Sequence, residues 1–216
     1  MTNTHDTPDS TGTRASLIAA ALYLFGHRGY EGTSIRAIAT RAGVNVASIA
    51  YHFGGKAGLR MACAETVAAK IAQTLPASGD APVPADPAAA MAEIERAVRN
   101  LAGALLMAPQ AGDFVPFMLR EITDPGEVAE MIFANFLLPR HERLCQLWAV
   151  VTGKEPEAPE VKLALFAVIG QVLYFRIAQP FVSRRMGWDR VGQGEVKQIT
   201  DIIIEGLRAR AERKRS

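Results

Sequence analysis

The sequence is poor in the residues that build disulfides and metal sites. It contains two cysteines and four histidines in 216 residues. Cys63 and Cys145 each lie in an apolar, helical-looking stretch, which is typical of buried thiols, and neither has a second Cys or a nearby His at metal-ligand spacing. We therefore expect two free buried thiols, no metal site and no other cofactor.

The sequence also lacks an apolar run of membrane length. No window approaches the roughly 18 uninterrupted apolar residues of a membrane-spanning helix, and residues 1–12 (MTNTHDTPDSTG) contain no apolar segment of the signal-peptide type. With 49% hydrophobic residues, the chain has ample core material. These features predict a folded cytoplasmic protein with no membrane contact, preceded by a disordered leader at residues 1–12.

Catalytic motifs are missing as well. The stretch AGVNVASIAYHFGGKAG contains two adjacent glycines and a lysine, but a phosphate-binding P-loop requires G-x-x-x-x-G-K-[ST] after a strand. Here Ala50 stands five positions before Gly55, and Ala57 follows Lys56. The four histidines have no Cys, Ser or carboxylate at motif spacing. We expect no enzyme active site.

Charge is distributed unevenly along the chain, although the formal net charge is only +2. Residues 1–75 carry seven Lys/Arg against four acids, residues 76–207 carry twelve against seventeen, and residues 208–216 carry five against one. A basic first third on an acidic remainder is typical of a polyanion-binding domain joined to a different kind of domain, although ordinary solvation also produces modest imbalances.

Periodicity predicts three short helices in the first third. The run TRASLIAAALYLFGHRGY predicts a first helix, which Gly29 ends. A second helix of about ten residues follows Thr33, its expected N-cap, and stops at Gly43. Asn45 is the expected N-cap of a third helix that ends near Phe53. Two short helices joined by a Gly-containing turn form a helix-turn-helix.

The rest of the sequence is helical in pattern, without alternating strands or internal repeats. A longer helix is expected from Lys56 to near residue 75, and further helices at about 88–108, 113–122, 126–151, 158–180 and 193–213. The sequence therefore predicts an all-α fold. A three-helix helix-turn-helix domain (13–60) follows the leader (1–12) and precedes a larger helical-bundle domain (61–216).

The third helix has the features of a DNA-reading helix. Its N-terminus carries the positive end of the helix dipole, and its small side chains permit entry into a major groove about 12 Å wide. The residues expected to contact bases are Asn45, Val46, Ala47 and Ser48. Phosphates are expected to be contacted by hydroxyl, imidazole and ammonium groups. The residues that supply them are Thr33, Ser34, Tyr51, His52 and Lys56.

The span from about Arg14 to Lys70 resembles the DNA-binding domain of the TetR family of bacterial transcriptional regulators. The resemblance is strongest over GYEGTSIRAIATRAGVNVASIAYHFGGKAGL. The matching pieces are Gly29-Tyr30, Thr33-Ser34-Ile35, Ile38-Ala39, Ala42-Gly43-Val44, Tyr51-His52-Phe53 and Lys56. Their combination is specific, whereas any one piece is common.

Two positions of the third helix depart from the family pattern. The family commonly has a tyrosine at the position of Ala50, and a lysine, proline or polar residue at that of Val46. Periodicity buries both on one stripe with Ile49 and Phe53. The resemblance instead turns Val46 and Ala50 toward DNA and buries Val44, Ile49 and Phe53. We favour the second arrangement, in which Val46 contacts a thymine methyl group.

A homodimer is expected, because one short recognition helix covers only a few base pairs. The helices at 158–180 and 193–207 are apolar over more than one narrow face, which suits a two-fold four-helix interface of the TetR kind. The expected interface residues are Leu165, Ile169, Val172, Leu173, Ile199, Ile202 and Ile203. The alternative is that these helices form only the core of the domain.

The middle helices are rich in large, adaptable side chains. Such residues form cores, but helical bundles also enclose ligands, and the TetR family typically has an inducer cavity in this region. The residues expected to line it around a small apolar or amphipathic effector are Phe114, Phe117, Met118, Arg120, Glu121, Met131, His141 and Trp148.

Three segments of the second domain resemble the C-terminal domain of the CecR/CerR-like branch of the TetR family, over about residues 114–188. They are PFMLREITDPGE, NFLLPRHERL and GQVLYFRIAQPFVSRRMGW. The sequence therefore predicts a homodimeric regulator that binds a palindromic double-stranded DNA operator and represses until an effector releases it. One alternative is a DNA-binding regulator with a packed, non-inducible body. The other is an all-α small-molecule enzyme, which no residue constellation supports.

Overall fold

The computed structural model describes residues 10–74, 81–107, 111–124 and 126–212, and within these ranges the chain is all-α with no strand. This confirms the predicted fold class. The elements are α1 (Ser10–Arg28), α2 (Ile35–Ala42), α3 (Ala47–Phe53), α4 (Lys56–Thr74), α5 (Pro87–Leu106), α6 (Ala111–Thr123), α7 (Glu127–Ile132), a π-helical segment (Phe133–Leu137), α8 (Leu138–Thr152), α9 (Pro159–Ile177), α10 (Gln179–Met186) and α11 (Gln193–Glu212).

The chain divides into two compact units. Unit 1 comprises the residues up to Ala69 together with Gly112–Ile132, and unit 2 comprises Lys70–Ala111 and the residues from Phe133 onward. The predicted domain boundary at residue 60 assigns α6 and α7 to the second domain (61–216), whereas the structure groups both helices with the N-terminal helices in unit 1. Of the expected leader, residues 1–9 lie outside the described residues, and residues 10–12 already belong to α1.

The first three helices of unit 1 share one apolar core. α1 packs against α2 and α3, and α2 packs against α3. Each large apolar side chain buried there contributes about 1.5–3 kcal/mol to stability. The large side chains of these three helices that are most deeply buried are Leu17, Phe25, Ile38 and Ile49. Because α2 and α3 have only eight and seven residues, they depend on this packing to remain helical.

The turn between α2 and α3 follows the predicted pattern with two corrections, both at helix N-caps. Gly43 adopts the left-handed conformation at the end of α2 (φ 69°), as predicted. The prediction that Asn45 is the N-cap of α3 is wrong by one residue, because the N-cap is Val46; the Asn45 side chain accepts a hydrogen bond from the Ala47 backbone N–H at 2.8 Å from within the turn. The prediction that Thr33 caps α2 is wrong, because the Ser34 hydroxyl accepts the bond from the Ala37 N–H.

Unit 2 is built around α5, which packs against α8, α9 and α11. Ion pairs brace these contacts at their edges. Arg143 of α8 binds the Glu93 carboxylate of α5, and Arg99 of α5 binds the Asp201 carboxylate of α11. The helices are therefore held by a shared apolar core and by charged groups at its rim.

Two helices predicted as continuous are interrupted in the structure. The pattern at about 126–151 becomes α7, the π-helical segment and α8, since Pro139 has no N–H to donate to the fourth preceding carbonyl and its ring crowds that carbonyl. The pattern at about 158–180 ends at Ile177, and the chain bends by 76° into α10, whose second residue is Pro180.

None of the described helices is by itself long and apolar enough to cross a membrane. α9 and α10 meet the criteria of length and composition only together, as a bent pair.

Candidate DNA-binding site and effector region

α3 presents a small, mostly uncharged face to solvent. Ile49 is 1% exposed and anchors the helix on the core, whereas Val46 and Ala50 are exposed. Val44 and Phe53 are half-buried. This is the orientation implied by the resemblance, and it differs from the single buried stripe that periodicity favours. The exposed face of α3 is therefore free of bulky side chains near its N-terminus.

Tyr51 is the most exposed large side chain of α3, at 84%. Its ring lies nearly perpendicular to that of His52, with 4.9 Å between ring centroids. His52 itself is half-buried. The phenol hydroxyl therefore projects one turn beyond the small residues of α3, where a phosphate contact is predicted.

The predicted phosphate contact by Thr33 is contradicted by its burial. Its side chain is 1% exposed, and its hydroxyl donates to the Gly29 carbonyl at 2.7 Å and the Leu24 carbonyl at 3.1 Å. Thr33 therefore ties the end of α1 to the start of α2. The adjacent Ser34 is exposed and lies at the N-terminus of α2.

Two cationic side chains of α4 pack on the ring of Tyr30. This residue directly follows Gly29, where the chain turns after α1. Lys56 Nζ lies 4.0 Å from the ring centroid and Arg60 Cζ lies 4.8 Å from it. Such cation–π contacts contribute about 0.5–1 kcal/mol at exposed sites. Lys56 is thus held at the N-terminus of α4 by the ring of Tyr30, a residue that is not among the predicted DNA contacts.

The eight expected effector-lining residues are distributed over both units. Unit 1 contains Phe114, Phe117, Met118, Arg120, Glu121 and Met131, and unit 2 contains His141 and Trp148. Phe114, Phe117 and Trp148 are buried, while Met118 and Met131 are half-buried. Their assignment to a cavity stays a prediction.

The two charged members of this set have partners in unit 1. The Glu121 carboxylate is buried and accepts two bonds from Arg60, from Nε at 2.8 Å and from Nη2 at 2.7 Å. This pairing raises the pKa of the Arg60 guanidinium, although burial opposes the shift. Arg120 donates from Nε to the Gly26 carbonyl at 2.8 Å and from Nη2 to the His27 carbonyl at 3.3 Å. Arg120 therefore contacts α1, and Glu121 contacts α4.

His141 is buried in unit 2, and both of its ring nitrogens have neighbours. Nε2 lies 3.2 Å from the Lys162 carbonyl oxygen, which can only accept, so Nε2 carries the proton. Nδ1 then accepts from the Cys145 thiol at 3.6 Å, and the ring stacks on Phe166 with 3.9 Å between centroids. His141 is thus satisfied by the protein itself.

Both cysteines are free and buried, as predicted. Burial raises the pKa of the Cys145 thiol to about 11 and raises that of Cys63 further. Cys63 donates to the Ile18 carbonyl. Neither thiol is positioned to form a reactive thiolate.

Four residues of the predicted dimer interface are buried within the single chain. They are Leu165, Val172, Ile199 and Ile203, each at most 4% exposed, so this part of the prediction is corrected to core. Ile169 and Leu173 are half-buried, and Ile202 is 69% exposed.

A row of exposed apolar residues that periodicity did not predict lies on the face of α9 opposite the buried Leu165 and Val172. It consists of Leu163, Phe166, Tyr174 and Ile177, which are 44–66% exposed. α9 is apolar on both faces, so periodicity alone did not tell which face packs against α5.

Comparison with protein families covers both halves of the chain. Residues 17–63 match the family described as "Bacterial regulatory proteins, tetR family", and residues 90–212 match "HTH-type transcriptional dual regulator CecR, C-terminal domain". The chain is 32% identical over 212 residues to the HTH-type transcriptional dual regulator CecR of Shigella flexneri, covering 92% of this chain and 94% of that protein.

The chain belongs to the TetR family of bacterial transcriptional regulators. Its C-terminal domain is of the CecR type. This TetR-family regulator is also 30% identical to the HTH-type transcriptional regulatory protein RaaS of Mycobacterium tuberculosis over 198 residues, covering 90% of this chain and 86% of that protein. The predicted function as a DNA-binding transcriptional regulator is confirmed.

A solved structure shares the fold of this TetR-family regulator at low sequence identity. The crystal structure of AibR in complex with isovaleryl coenzyme A and operator DNA aligns with a TM-score of 0.64 and 18% identity, covering 89% of this chain and 96% of that chain. At this identity the similarity establishes the fold alone.

Proposed function

We propose that this TetR-family regulator binds a palindromic operator as a homodimer and represses transcription until a small effector releases it. The observation that carries the proposal is the orientation of α3. Ile49 anchors the helix, and its exposed face offers small side chains to a groove. Because bacterial DNA lies in the cytoplasm, that is the proposed place of action.

The proposed base contacts come from Asn45, Val46, Ala47 and Ser48. The Asn45 side-chain oxygen accepts from the Ala47 N–H, so its amide N–H groups remain the donors for an acceptor on DNA. Val46 is 39% exposed and offers an apolar surface to a thymine methyl group. Phosphates are contacted by Ser34, Tyr51, His52 and Lys56, a set that no longer includes Thr33.

The proposed dimer interface consists of the exposed apolar row on α9 together with the exposed face of α11. On α11, Ile202 and Gly206 lie one turn apart and both are exposed. A small residue next to a large apolar one lets two helices approach closely. An apolar face of this length costs solubility in a lone chain, and a second copy would cover it.

The proposed effector is a small apolar or amphipathic molecule. AibR, which shares the fold, was crystallised with isovaleryl coenzyme A and operator DNA. In this chain the candidate contacts within unit 1 are Phe114, Phe117, Met118 and Met131, which supply aromatic and thioether surface.

A second candidate is a regulator that no effector controls. It is favoured by the contacts of Arg120, Glu121 and His141, because all three polar groups expected at a cavity are engaged by the protein. The curated relatives are transcriptional regulators, so we do not propose an enzymatic function.

A genomic pull-down tests the proposal. Purified protein is incubated with fragmented genomic DNA at two salt concentrations, alongside Tyr51→Ala and, as a control outside α3, Gln146→Ala on the exposed surface of α8. We expect enrichment of a short palindrome that persists at the higher salt, is lost in Tyr51→Ala and is retained in the control. Diffuse, salt-sensitive binding by the wild type would overturn the proposal.

A further inference from the structure

The Arg120 side chain of α6 binds backbone carbonyls at the C-terminus of α1. The carbonyls of Gly26 and His27 lie in the last turn of α1 and have no partner within the helix, and the Arg120 guanidinium donates to both. A cation at this end also interacts favourably with the helix dipole. A Cβ added to Gly29 would lie only 3.3 Å from Arg120 Nη1, so the glycine leaves room for this approach.

Glu121, the next residue, binds α4 through a buried bidentate ion pair. Glu121 is 3% exposed, and Arg60 donates two N–H groups to its carboxylate. Bidentate Arg–carboxylate pairs fix the relative orientation of two elements as well as their distance. Two consecutive side chains of α6 therefore hold two different helices of unit 1.

Arg60, the partner of Glu121, also contacts residues next to the predicted DNA-binding surface. Arg60 lies over the ring of Tyr30, and Lys56, one turn before Arg60, lies over the same ring. Tyr30 follows the turn that ends α1, which is the segment held by Arg120. α6 is thereby connected to the α1–α2 turn and to the N-terminus of α4 by one set of contacts.

We propose that Arg120 and Glu121 are positioning residues for operator binding, holding α1, α4 and Lys56 in the arrangement that fits DNA. We name these contacts of Arg120 and Glu121 the α6 clamp. The inference rests on the proposed function, because it concerns the affinity for an operator. Neither residue needs to contact DNA for the clamp to act.

Glu121→Gln tests the α6 clamp, because the loss of a negative charge and the loss of positioning change operator affinity in opposite directions. The variant loses one negative charge, which by itself strengthens DNA binding. It keeps the shape and one acceptor for Arg60 but replaces the second acceptor by a donor. We expect operator affinity to fall about tenfold, while affinity for non-specific DNA stays equal or rises.

Glu93→Gln is the matched control. Glu93 forms a bidentate pair with Arg143 in unit 2, at 3.0 and 3.2 Å, and the substitution changes the net charge by the same amount. We expect its operator affinity to equal or exceed that of the wild type. If Glu121→Gln behaves like Glu93→Gln, the clamp does not position the DNA-binding surface and the proposal is overturned.

Arg120→Lys provides a second variant that keeps the charge. A lysine lacks the planar fork that spans the Gly26 and His27 carbonyls, so we expect a smaller but measurable loss, about threefold, in operator affinity alone. Circular dichroism melts of all variants accompany the binding data. A parallel loss of specific and non-specific binding together with helicity would overturn the clamp in favour of a stabilising role. Absence of operator binding by the wild type would overturn the proposed function itself.

Discussion

Thr33→Val separates a structural role from a DNA-binding role at the start of α2. The Thr33 hydroxyl donates to the Gly29 and Leu24 carbonyls from a side chain that is 1% exposed. Valine keeps the shape but removes the donor, so two carbonyl oxygens at the end of α1 lose that partner. Such a loss in a buried position costs about 1–2 kcal/mol.

The cost is measured by thermal unfolding. In a protein of this size, 1 kcal/mol corresponds to about 2–4 °C in Tm. We expect the Tm of Thr33→Val, followed by circular dichroism, to fall by roughly 2–8 °C. Its operator affinity at 25 °C should equal that of the wild type, because a buried hydroxyl does not reach a phosphate.

Ser34→Ala is the neighbouring comparison. Its hydroxyl is exposed and caps α2, so the substitution should cost about 1 kcal/mol and also weaken operator binding. A Thr33→Val protein with unchanged Tm and weakened operator binding would refute the reasoning and return Thr33 to the DNA surface.

Three further predictions concern other parts of the chain. Lys56→Ala should reduce the slope of log K against log salt concentration by about 0.9, since one phosphate contact is lost; an unchanged slope would count against that contact. In sedimentation velocity, Ile202→Asp should be a folded monomer, whereas Ile203→Ala should stay dimeric but lose about 2–5 kcal/mol of stability; a dimeric Ile202→Asp would rule out the α11 face. Iodoacetamide at pH 8 should modify Cys63 and Cys145 only after denaturation. Because the folded pKa of Cys145 is about 11 and an unfolded thiol titrates near 8.5, the stabilisation from keeping it neutral is complete below about pH 8.5 and is lost as pH rises toward 11; a constant urea midpoint over this range would contradict the burial of this thiol.

The helix-turn-helix was predictable because its determinants are local. Gly29 and Gly43 both adopt positive φ at the ends where the sequence predicts helix termini. Asn45 lies one residue before the N-cap of α3, and its side chain accepts a hydrogen bond from the Ala47 N–H. Glycine and Asn have strong conformational preferences within a few residues, so their positions alone mark the boundaries.

Side-chain partners distant in sequence were not predictable. Glu121 and Arg60 are 61 residues apart, and Arg120 and Gly26 are 94 apart. Helical periodicity states which face of α6 a residue occupies, but not which helix lies opposite. Arg120 and Glu121 were therefore expected to line a cavity, whereas in the structure they bind α1 and α4.

The choice between equally apolar faces was also not predictable. Leu163 and Leu165 are two positions apart on α9, yet one is 66% and the other 1% exposed. Thr33 and Ser34 are likewise adjacent hydroxyl residues, and only the packing of α1 decides which one is buried. In both cases the deciding information is tertiary.

The most direct test of the central claim is a binding titration that counts chains per operator. The palindrome obtained from the genomic pull-down is compared with a duplex of equal length in which one half-site is scrambled, by sedimentation equilibrium and fluorescence anisotropy. We expect two chains on the palindrome and at least a hundredfold weaker binding to the single half-site, because two recognition helices must both engage (roughly 1–3 kcal/mol per mismatched base pair). Equal affinity for both duplexes, with one chain bound, would contradict it.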